Sequence, residues 1–300
     1  MTYLGELAAL ATSVLFSATS TQFTLAGREV GSVVVNRTRL VFAVILVVTA
    51  HLIAGIALPF PISGERAFWL SLSGIIGLAL GDAFLFQAFV LIGARLSMLM
   101  MSMAPIFSTI LAWVFLGEKL STMELLGISL TLSGIVWVVL ERNGKKAQNP
   151  ADTRTYFIGI LLGLCAAAGQ AGGLITAKIG LAGDYPALSG TLIRMLAAMT
   201  VLWTYTIIRR QARQTVTTLA DHPRGIYFIL GGSITGPFLG VTASLIAIQL
   251  TEVGIASTLM ALPPVFLLPI GHFIFKESFG WQAVAGTFVA VAGVALLFVA

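Results

Sequence analysis

A charged side chain inside a long apolar stretch is the first feature of this sequence that could do chemistry. Asp82, in the segment GLALGDAFLFQ, is the one carboxylate placed well inside such a stretch. A charge within a bilayer is destabilising by about 2.5–3.5 kcal/mol on insertion scales, so it should face a cavity, pair with another group or be protonated. We expect Asp82 to contact an amine of a bound molecule or to carry a proton. A helix-packing role is the alternative.

Two prolines mark a second group of candidates. Pro105 and Pro264 each fall about ten residues into an apolar stretch, where a proline removes one backbone donor and frees the carbonyl four residues earlier. Small or flexible side chains surround both, and methionines can repack around varied apolar ligands. These positions predict a central cavity, and a structural kink with methionines as filler is the alternative. The cavity candidates besides Asp82 and the prolines are Phe86, Met98, Met101, Ser102, Trp113, Gln170, Ser257 and Met260.

Two of the cavity candidates also have a purely structural interpretation. Trp113 lies near the end of its apolar stretch, where an amphipathic ring usually anchors at the lipid headgroups. Gln170 is equally suited to an interhelical hydrogen bond.

The elements that position these residues are membrane helices. The chain has 300 residues, of which 58% are hydrophobic and 10% charged, and its mean hydropathy is +0.99. That composition excludes an ordinary soluble protein. The apolar stretches are about 20 residues long and lack period-2 alternation, which indicates helices rather than a barrel. The first stretch has neither a basic segment before it nor a small-residue cleavage site after it, so we expect a retained span.

The chain repeats itself. AFVLIGARLSMLMMSMAPIFSTILAWVFLGEK, from Ala88 to Lys119, aligns without a gap with AIQLTEVGIASTLMALPPVFLLPIGHFIFKES, 159 residues further on. The register pairs prolines, glycines and a glutamate over about 60 residues, which composition alone does not produce. We therefore predict two copies of one unit. The paired positions include Gly77 and Gly236, Gly81 and Gly240, Pro105 and Pro264, Glu118 and Glu277, Gly127 and Gly286, and Gly134 and Gly293.

Each copy contains five predicted spans, so the fold class is an all-α integral membrane protein of ten transmembrane helices. The spans are expected at about 3–25, 34–56, 67–91, 95–116, 122–140, 156–178, 187–208, 225–249, 254–275 and 280–299. The first repeat occupies residues 1–141 and the second 156–300. A polar linker at 142–155, which contains Asn-Gly and Asn-Pro turn signals, joins them.

An odd number of spans per copy inverts the second copy in the membrane. Basic residues set the orientation: eleven lie in or near loops after odd-numbered spans and three after even-numbered spans. This bias places the odd-numbered loops in the cytoplasm and both termini outside. The net charge of +5 is explained by the same loops, so no nucleic-acid partner is expected.

Inversion also predicts which charges meet. Arg39 and Arg194 begin the second and seventh spans, while Glu118 and Glu277 follow the fourth and ninth. Arginine and glutamate of one half then lie at opposite membrane faces. Arg39 instead shares a face with Glu277, and Arg194 with Glu118. We predict ion pairs that cross between the halves and act as gates; four solvated interfacial charges, worth under about 1 kcal/mol each, are the alternative.

Several function classes find no support in the sequence. It has no Walker-type GxxxxGK run followed by Ser or Thr and no Cys/His cluster, so ATP-driven pumping, a metal site and a cofactor are not predicted. A membrane enzyme needs several convergent titratable groups, and only Asp82 is clearly deep. A sensor needs an output region, and the longest predicted loop has about 16 residues. The remaining class is a secondary transporter whose substrate binds between inverted repeats.

The sequence resembles the drug/metabolite transporter superfamily in its ten-helix, twice-repeated EamA-type branch. The resemblance covers the whole chain. It rests on Ala-Pro-Ile-Phe at 104–107 and Pro-Pro-Val-Phe at 263–266, on the Gly-Glu-Lys and Lys-Glu-Ser that follow them, on Arg39 and Arg194, and on the glycine-rich last helix of each half.

The resemblance implies export or exchange of small metabolites across a bacterial inner membrane. Amino acids are the commonest cargo among bacterial members, and exporters of aromatic amino acids are the relatives that it suggests first. A multidrug exporter of lipophilic cations is the alternative. The expected partners are the small-molecule substrate and the lipid bilayer, with the protein a monomer or a weak homo-oligomer.

Overall fold

The computed structural model describes residues 3–141, 153–183, 185–267 and 280–299, and over these ranges the regular structure is entirely helical. The helices are α1 (Leu4–Val30), α2 (Ser32–Ala54), α3 (Gly64–Ser73), α4 (Asp82–Met101), α5 (Ala104–Leu116), α6 (Thr122–Glu141), α7 (Thr153–Gly180), α8 (Ala187–Ile208), α9 (Ala212–Asp221), α10 (Pro223–Ser233), α11 (Val241–Leu250), α12 (Val253–Met260) and α13 (Trp281–Val299). The predicted linker at 142–155 lies mostly outside the described residues.

Five helices within the described ranges are long and apolar enough to cross a membrane. They are Ser32–Ala54, Gly64–Ala88, Tyr156–Gly180, Ala187–Ile208 and Pro223–Leu250. Shorter apolar helices cover Ala104–Leu116, Thr122–Trp137, Val253–Leu267 and Val284–Val299. The all-helical membrane architecture is therefore confirmed, and the total of ten spans stays a prediction.

Two π-helical segments occupy equivalent positions in the two repeats. Gly74–Gly81 joins α3 to α4, and Ile234–Gly240 joins α10 to α11. Shifted by the 159 residues of the sequence repeat, the first segment coincides with the second to within one residue. The same rare geometry therefore occurs in both repeats. π-Helical turns are uncommon and are often found at functional sites. Asp82 is the first residue after the first segment.

The helix boundaries correct one sequence prediction. A break was expected between the spans at 67–91 and 95–116, but α4 continues to Met101 and the chain breaks at residues 102–103, just before Pro105. Nothing between Leu91 and Ala94 ends a helix, whereas Pro105 suits the first turn of α5. The second repeat breaks twice, at residues 251–252 and again at 261–262, just before Pro264.

Contacts between helices keep the same pattern when the two repeats are exchanged. Helix α1 packs on α10, its π-helical segment and α11, and α7 packs on α3, its π-helical segment and α4. The equivalent pairs α2 and α8, α5 and α12, and α6 and α13 contact each other directly.

The equivalent helices α2 and α8 run antiparallel, as two side-chain contacts show. His51 near the end of α2 lies 3.1 Å from the hydroxyl of Ser189 near the start of α8. At the opposite ends, Trp203 donates to the carbonyl oxygen of Arg37 at 3.2 Å.

Glycines bring α6 and α13 into backbone contact. A Cβ at Gly134 would lie 2.4 Å from the backbone nitrogen of Ala290 and 2.6 Å from the carbonyl oxygen of Gly286. A Cβ at Gly293 would lie 2.8 Å from the carbonyl oxygen of Gly127. These two contacts are related by the repeat, and such glycine contacts drive helix association where lipid removes the hydrophobic driving force.

We expect Gly134→Ala to destabilise the protein by about 1–3 kcal/mol because the added methyl group overlaps the α13 backbone. Gly27→Ala in α1 is the matched control, since a Cβ there meets nothing within 4 Å. Alanine is the better helix former, so the control should be neutral or slightly more stable. Thermal unfolding of detergent-purified protein measures both, and equal midpoints for the two variants would contradict the close contact.

Candidate functional site

Asp82 forms a buried ion pair with Arg39. Nη2 of Arg39 donates to Oδ2 of Asp82, and the side chains keep 9% and 19% of their surface exposed. Nη2 also lies 3.3 Å from the carbonyl oxygen of Leu78, and Nε donates to Oδ1 of Asn36 at 2.9 Å. The ring of Phe86, one turn beyond Asp82, has its centroid 5.8 Å from the Arg39 guanidinium carbon. Asp82 is thus paired with another charge, and its contact with a bound amine or its carriage of a proton stays a prediction.

Arg194 approaches the same π-helical segment from the second repeat. Arg194 is 2% exposed. A Cβ at Gly74 would lie 2.2 Å from the carbonyl oxygen of Arg194. A Cβ at Gly77 would lie 3.7 Å from Nη2, so the guanidinium runs along the glycine face of the segment. Asp82 is the opposite charge that acts on it. Nε and Nη1 of Arg194 have no hydrogen-bond partner among the described residues.

The two arginines are equivalent in position but not in their partners. Each is the eighth residue of its helix, about 12 Å from the helix start. The hydroxyl of Ser233 donates to the carbonyl oxygen of Arg39 at 3.4 Å, which mirrors the contact of Gly74 with Arg194. Since Val241 stands where the first repeat has Asp82, the cluster holds two arginines and one carboxylate. We call Arg39, Asp82 and Arg194 the charge cluster.

The charge cluster corrects the predicted gates. Arg39 was expected to pair with Glu277 across the halves, but its carboxylate partner is Asp82 of its own repeat. Glu277 itself lies outside the described residues. Arg194 was expected near Glu118, and the ion pair of Glu118 is instead with Lys178. The physical reason is depth: both arginines are buried two turns inside their helices, where Asp82 is the carboxylate that pairs with Arg39 and acts on Arg194.

Glu118 does join the two halves, through a different partner. Gly117 ends α5 in the left-handed region at φ 68°, which residues other than glycine rarely adopt, and Glu118 follows it. Oε1 of Glu118 accepts from Nζ of Lys178 at 2.6 Å, and Oε2 accepts from the backbone N–H of Val253 at 2.8 Å. The carboxylate thus caps the N-terminus of α12, where the helix dipole favours negative charge.

Further polar contacts, within the second repeat and between the repeats, surround this ion pair. Nζ of Lys178 also donates to the carbonyl oxygen of Thr251 at 2.9 Å, and the Thr251 hydroxyl donates to Glu6 at 3.0 Å. Nearby, Arg66 donates to the carbonyl oxygen of Gly180 at 3.1 Å, and its guanidinium lies 4.2 Å from the ring centroid of Tyr185. Burial raises the pKa of Tyr185, against the opposing effect of Arg66. This end of the molecule is therefore closed by polar contacts.

The structure places the predicted cavity residues at several points, and a common cavity stays a prediction. Pro105, Ser102, Ser257, Met260 and Pro264 are buried at the helix breaks, and Met101 is partly buried beside them. The side chain of Met98 lies outside the described residues. Gln170 is partly buried, with its backbone nitrogen 3.6 Å from where a Cβ of Gly81 would lie, so its helix adjoins the charge cluster.

Trp113 corrects another cavity prediction. It is 63% exposed, on the same side of α5 as the exposed Ile106 and Ile110, whereas Pro105, Ser108 and Ala112 form the buried side. The anchoring role at the membrane surface is the better explanation. Two hollows in the described structure, one between α5 and α6 and one along Phe157–Leu164 of α7, are each lined by a single repeat and contain none of the predicted cavity residues.

Sequence reasoning missed Lys178 and Asn36. Lys178 is one of the three basic residues that the orientation count assigns to even-numbered loops. It lies within the last turn of an apolar span, where a charged side chain needs a partner. Asn36 carried a local signal, since it precedes Arg39 by three residues and so shares its helix face.

Comparison with known proteins agrees with this architecture. The sequence matches the EamA-like transporter family twice, over residues 3–140 and again over residues 157–299. The chain belongs to the EamA-like transporter family. The double match confirms the internal repeat, and membership makes the protein a membrane transporter of small molecules.

A solved structure titled only "Crystal structure of protein" is similar to this EamA-like transporter. It shares 17% sequence identity with a TM-score of 0.69, over 95% of this chain and 94% of that one. At that identity the likeness shows the fold alone. No curated protein matches the sequence.

We expect Asp82→Asn to destabilise this EamA-like transporter by about 3–5 kcal/mol, because it leaves two buried arginines without a carboxylate. Arg39→Met should destabilise it less, since Asp82 retains the attraction of Arg194. The double variant should be more stable than Asp82→Asn alone. Thermal unfolding of the wild type, the two single variants and the double variant gives the coupling energy between Asp82 and Arg39. Additive effects of the two substitutions would contradict the ion pair.

We expect loss of the Lys178–Glu118 ion pair to open that end of the molecule. In a Cys165→Ser background, Val253→Cys places a thiol at a fully buried position next to the pair. Lys178→Gln should speed its labelling by a water-soluble maleimide about tenfold or more, since a hydrogen bond to a charged group is worth about 1.5–3 kcal/mol. Lys119→Gln, at an exposed neighbour, is the control. Equal labelling of both variants would contradict a closing role.

Proposed function

We propose that this protein is a secondary transporter that exports or exchanges amino acids, including aromatic and other apolar ones, across a bacterial inner membrane. The proposal places the substrate between two inverted repeats that alternate access to the two sides. The observation that carries it is the charge cluster, a group of buried charges at the interface between the repeats.

The antiparallel packing of equivalent helices supports the inverted arrangement. In α6 and α13, Gly134 lies by Gly286 and Ala290, while Gly127 lies by Gly293, so the two helices run in opposite directions. Helices α2 and α8 do the same. Two inverted units that meet through glycines can rock against each other, and the charge cluster lies between α2, α8 and the π-helical segment that both contact.

The charge balance favours amino acids over the multidrug alternative. Arg39 and Arg194 carry two positive charges and Asp82 carries one negative charge, so the cluster has an excess of one positive charge. A lipophilic cation would be repelled by that excess. A zwitterion can direct its carboxylate to an arginine and its ammonium group to Asp82, whose side chain keeps 19% of its surface exposed.

The surroundings of the charge cluster suit an apolar side chain. Leu40 and Met195, which follow the two arginines in sequence, belong to one buried apolar cluster with Ala43, Leu78, Ala79, Ala198 and Val241. Methionine repacks readily, which fits a range of substrate shapes, and Phe86 offers an aromatic face beside Arg39.

We expect purified protein in proteoliposomes to transport labelled phenylalanine and other apolar amino acids faster than empty liposomes do. Uptake should be measured with and without a pH gradient, because stimulation by the gradient would assign proton coupling. Asp82→Asn should reduce flux at least tenfold, whereas Lys119→Gln should not change it. Flux of a lipophilic cation such as tetraphenylphosphonium, with no flux of amino acids, would replace this proposal by the multidrug alternative.

A further inference from the structure

We propose that Arg194 is the binding site for the carboxylate of the transported molecule. The inference deepens the proposed function and rests on it, because it assumes that small molecules reach the interface between the repeats. Arg194 is buried, 2% exposed, and neither Nε nor Nη1 has a partner among the described residues. An arginine does not lose its charge in a protein, so this guanidinium needs an acceptor.

The first repeat shows what a complete set of partners is. There the guanidinium of Arg39 has the amide of Asn36, the carbonyl of Leu78 and the carboxylate of Asp82. Each of these three groups accepts a hydrogen bond from Arg39, and the carboxylate of Asp82 is anionic.

The second repeat has replaced these partners. Counted from the start of each helix, as for the two arginines, Thr191 of α8 corresponds to Asn36 of α2. Its hydroxyl donates to the carbonyl oxygen of Ala187 and lies 3.1 Å from the hydroxyl of Thr242. The position equivalent to Asp82 is Val241, which has no polar atom in its side chain. Arg194 therefore lacks the side-chain acceptors that Arg39 has, which is the pattern expected if a ligand supplies the acceptor.

The missing acceptor is a carboxylate on chemical grounds. A planar guanidinium offers parallel N–H donors that match two carboxylate oxygens, and the pair is stronger than a neutral hydrogen bond. Asp82 does not fill this role, since its Oδ2 is bound to Arg39 and it acts on Arg194 only through longer-range attraction. A neutral or cationic ligand would leave the excess charge uncompensated.

The backbone near Arg194 is suited to a moving ligand. Gly74 and Gly77 present no side chain to it, and Gly77 in turn meets Gly173 of α7 at backbone distance. These contacts bury Arg194 in the present conformation. Near Gly77 the contact between α7 and the π-helical segment is made by glycines alone, so no side chain stands between Gly77 and the Arg194 guanidinium.

The test is ligand-induced thermal stabilisation of the purified full-length protein, using three probes of one shape. Phenylalanine has both charged groups, 3-phenylpropionate lacks the amine and phenethylamine lacks the carboxylate. We expect phenylalanine and 3-phenylpropionate to raise the unfolding temperature of the wild type, and phenethylamine to leave it unchanged. No stabilisation by either carboxylate would overturn the proposal.

Variants then assign the carboxylate to Arg194. Arg194→Gln should weaken 3-phenylpropionate binding at least tenfold, and Arg194→Lys should weaken it less. Arg37→Gln is the matched control, because Arg37 is also buried but is held by the neutral side chains of Gln211 and Thr215. Wild-type affinity for 3-phenylpropionate in Arg194→Gln would overturn the proposal.

A second variant tests the proposal even if Arg194→Gln does not fold. Val241→Asp keeps the arginine and supplies an internal carboxylate at the position equivalent to Asp82. It should raise the unfolding temperature of the ligand-free protein and abolish stabilisation by 3-phenylpropionate. Retained binding in this variant would also overturn the proposal.

The two proposals fail in different ways. If 3-phenylpropionate binds through Arg194 but no amino acid crosses proteoliposomes, the proposed function is wrong and the carboxylate site stands. If amino acids cross and Arg194→Gln leaves their flux and KM unchanged, the site assignment is wrong and the proposed function stands.

Discussion

The attraction between Asp82 and two arginines is the interaction on which the centre of this transporter depends. A carboxylate in an apolar interior is destabilising unless it is paired and hydrogen-bonded, and here Arg39 supplies both the charge and the donors. Arg39 is itself fixed by Asn36 and by the carbonyl oxygen of Leu78. One helix of the second repeat, α8, adds Arg194 to the same place, so the interior charges link the two halves of the molecule.

Glycine makes that arrangement possible. Helix α8 brings Arg194 to the π-helical segment Gly74–Gly81 at backbone distance, with Gly74 against Arg194, and α7 packs on the same segment with Gly173 against Gly77. In lipid, close backbone packing replaces the hydrophobic driving force that assembles soluble helices. The same device holds α6 to α13, so the interfaces between the repeats are rich in small residues.

The two repeats share a backbone plan and differ in polarity. Both have a π-helical segment in the third span, an arginine at the eighth residue of the second span and a proline after a helix break. The carboxylate is present once, at Asp82, and the counterpart Val241 is apolar. At one end of the molecule the contact between halves is likewise unsymmetrical, since Glu118 binds Lys178 and caps α12 at once. The frame of the two repeats is therefore symmetrical, while the distribution of charges between them is not.

The sequence by itself determined the membrane class and the internal repeat, because composition and the register of prolines and glycines follow directly from the order of residues. It also limited Asp82 to a few roles, since an isolated charge in lipid has few stable environments. The pairing of charges was decided only by the tertiary structure. Arg39 and Arg194 looked like charges at span ends, and Lys178 like one basic residue among several. Which carboxylate each meets depends on how far a helix is buried and which face it turns to its neighbour, and both are set by packing between residues more than 100 positions apart, such as Arg194 against Gly74.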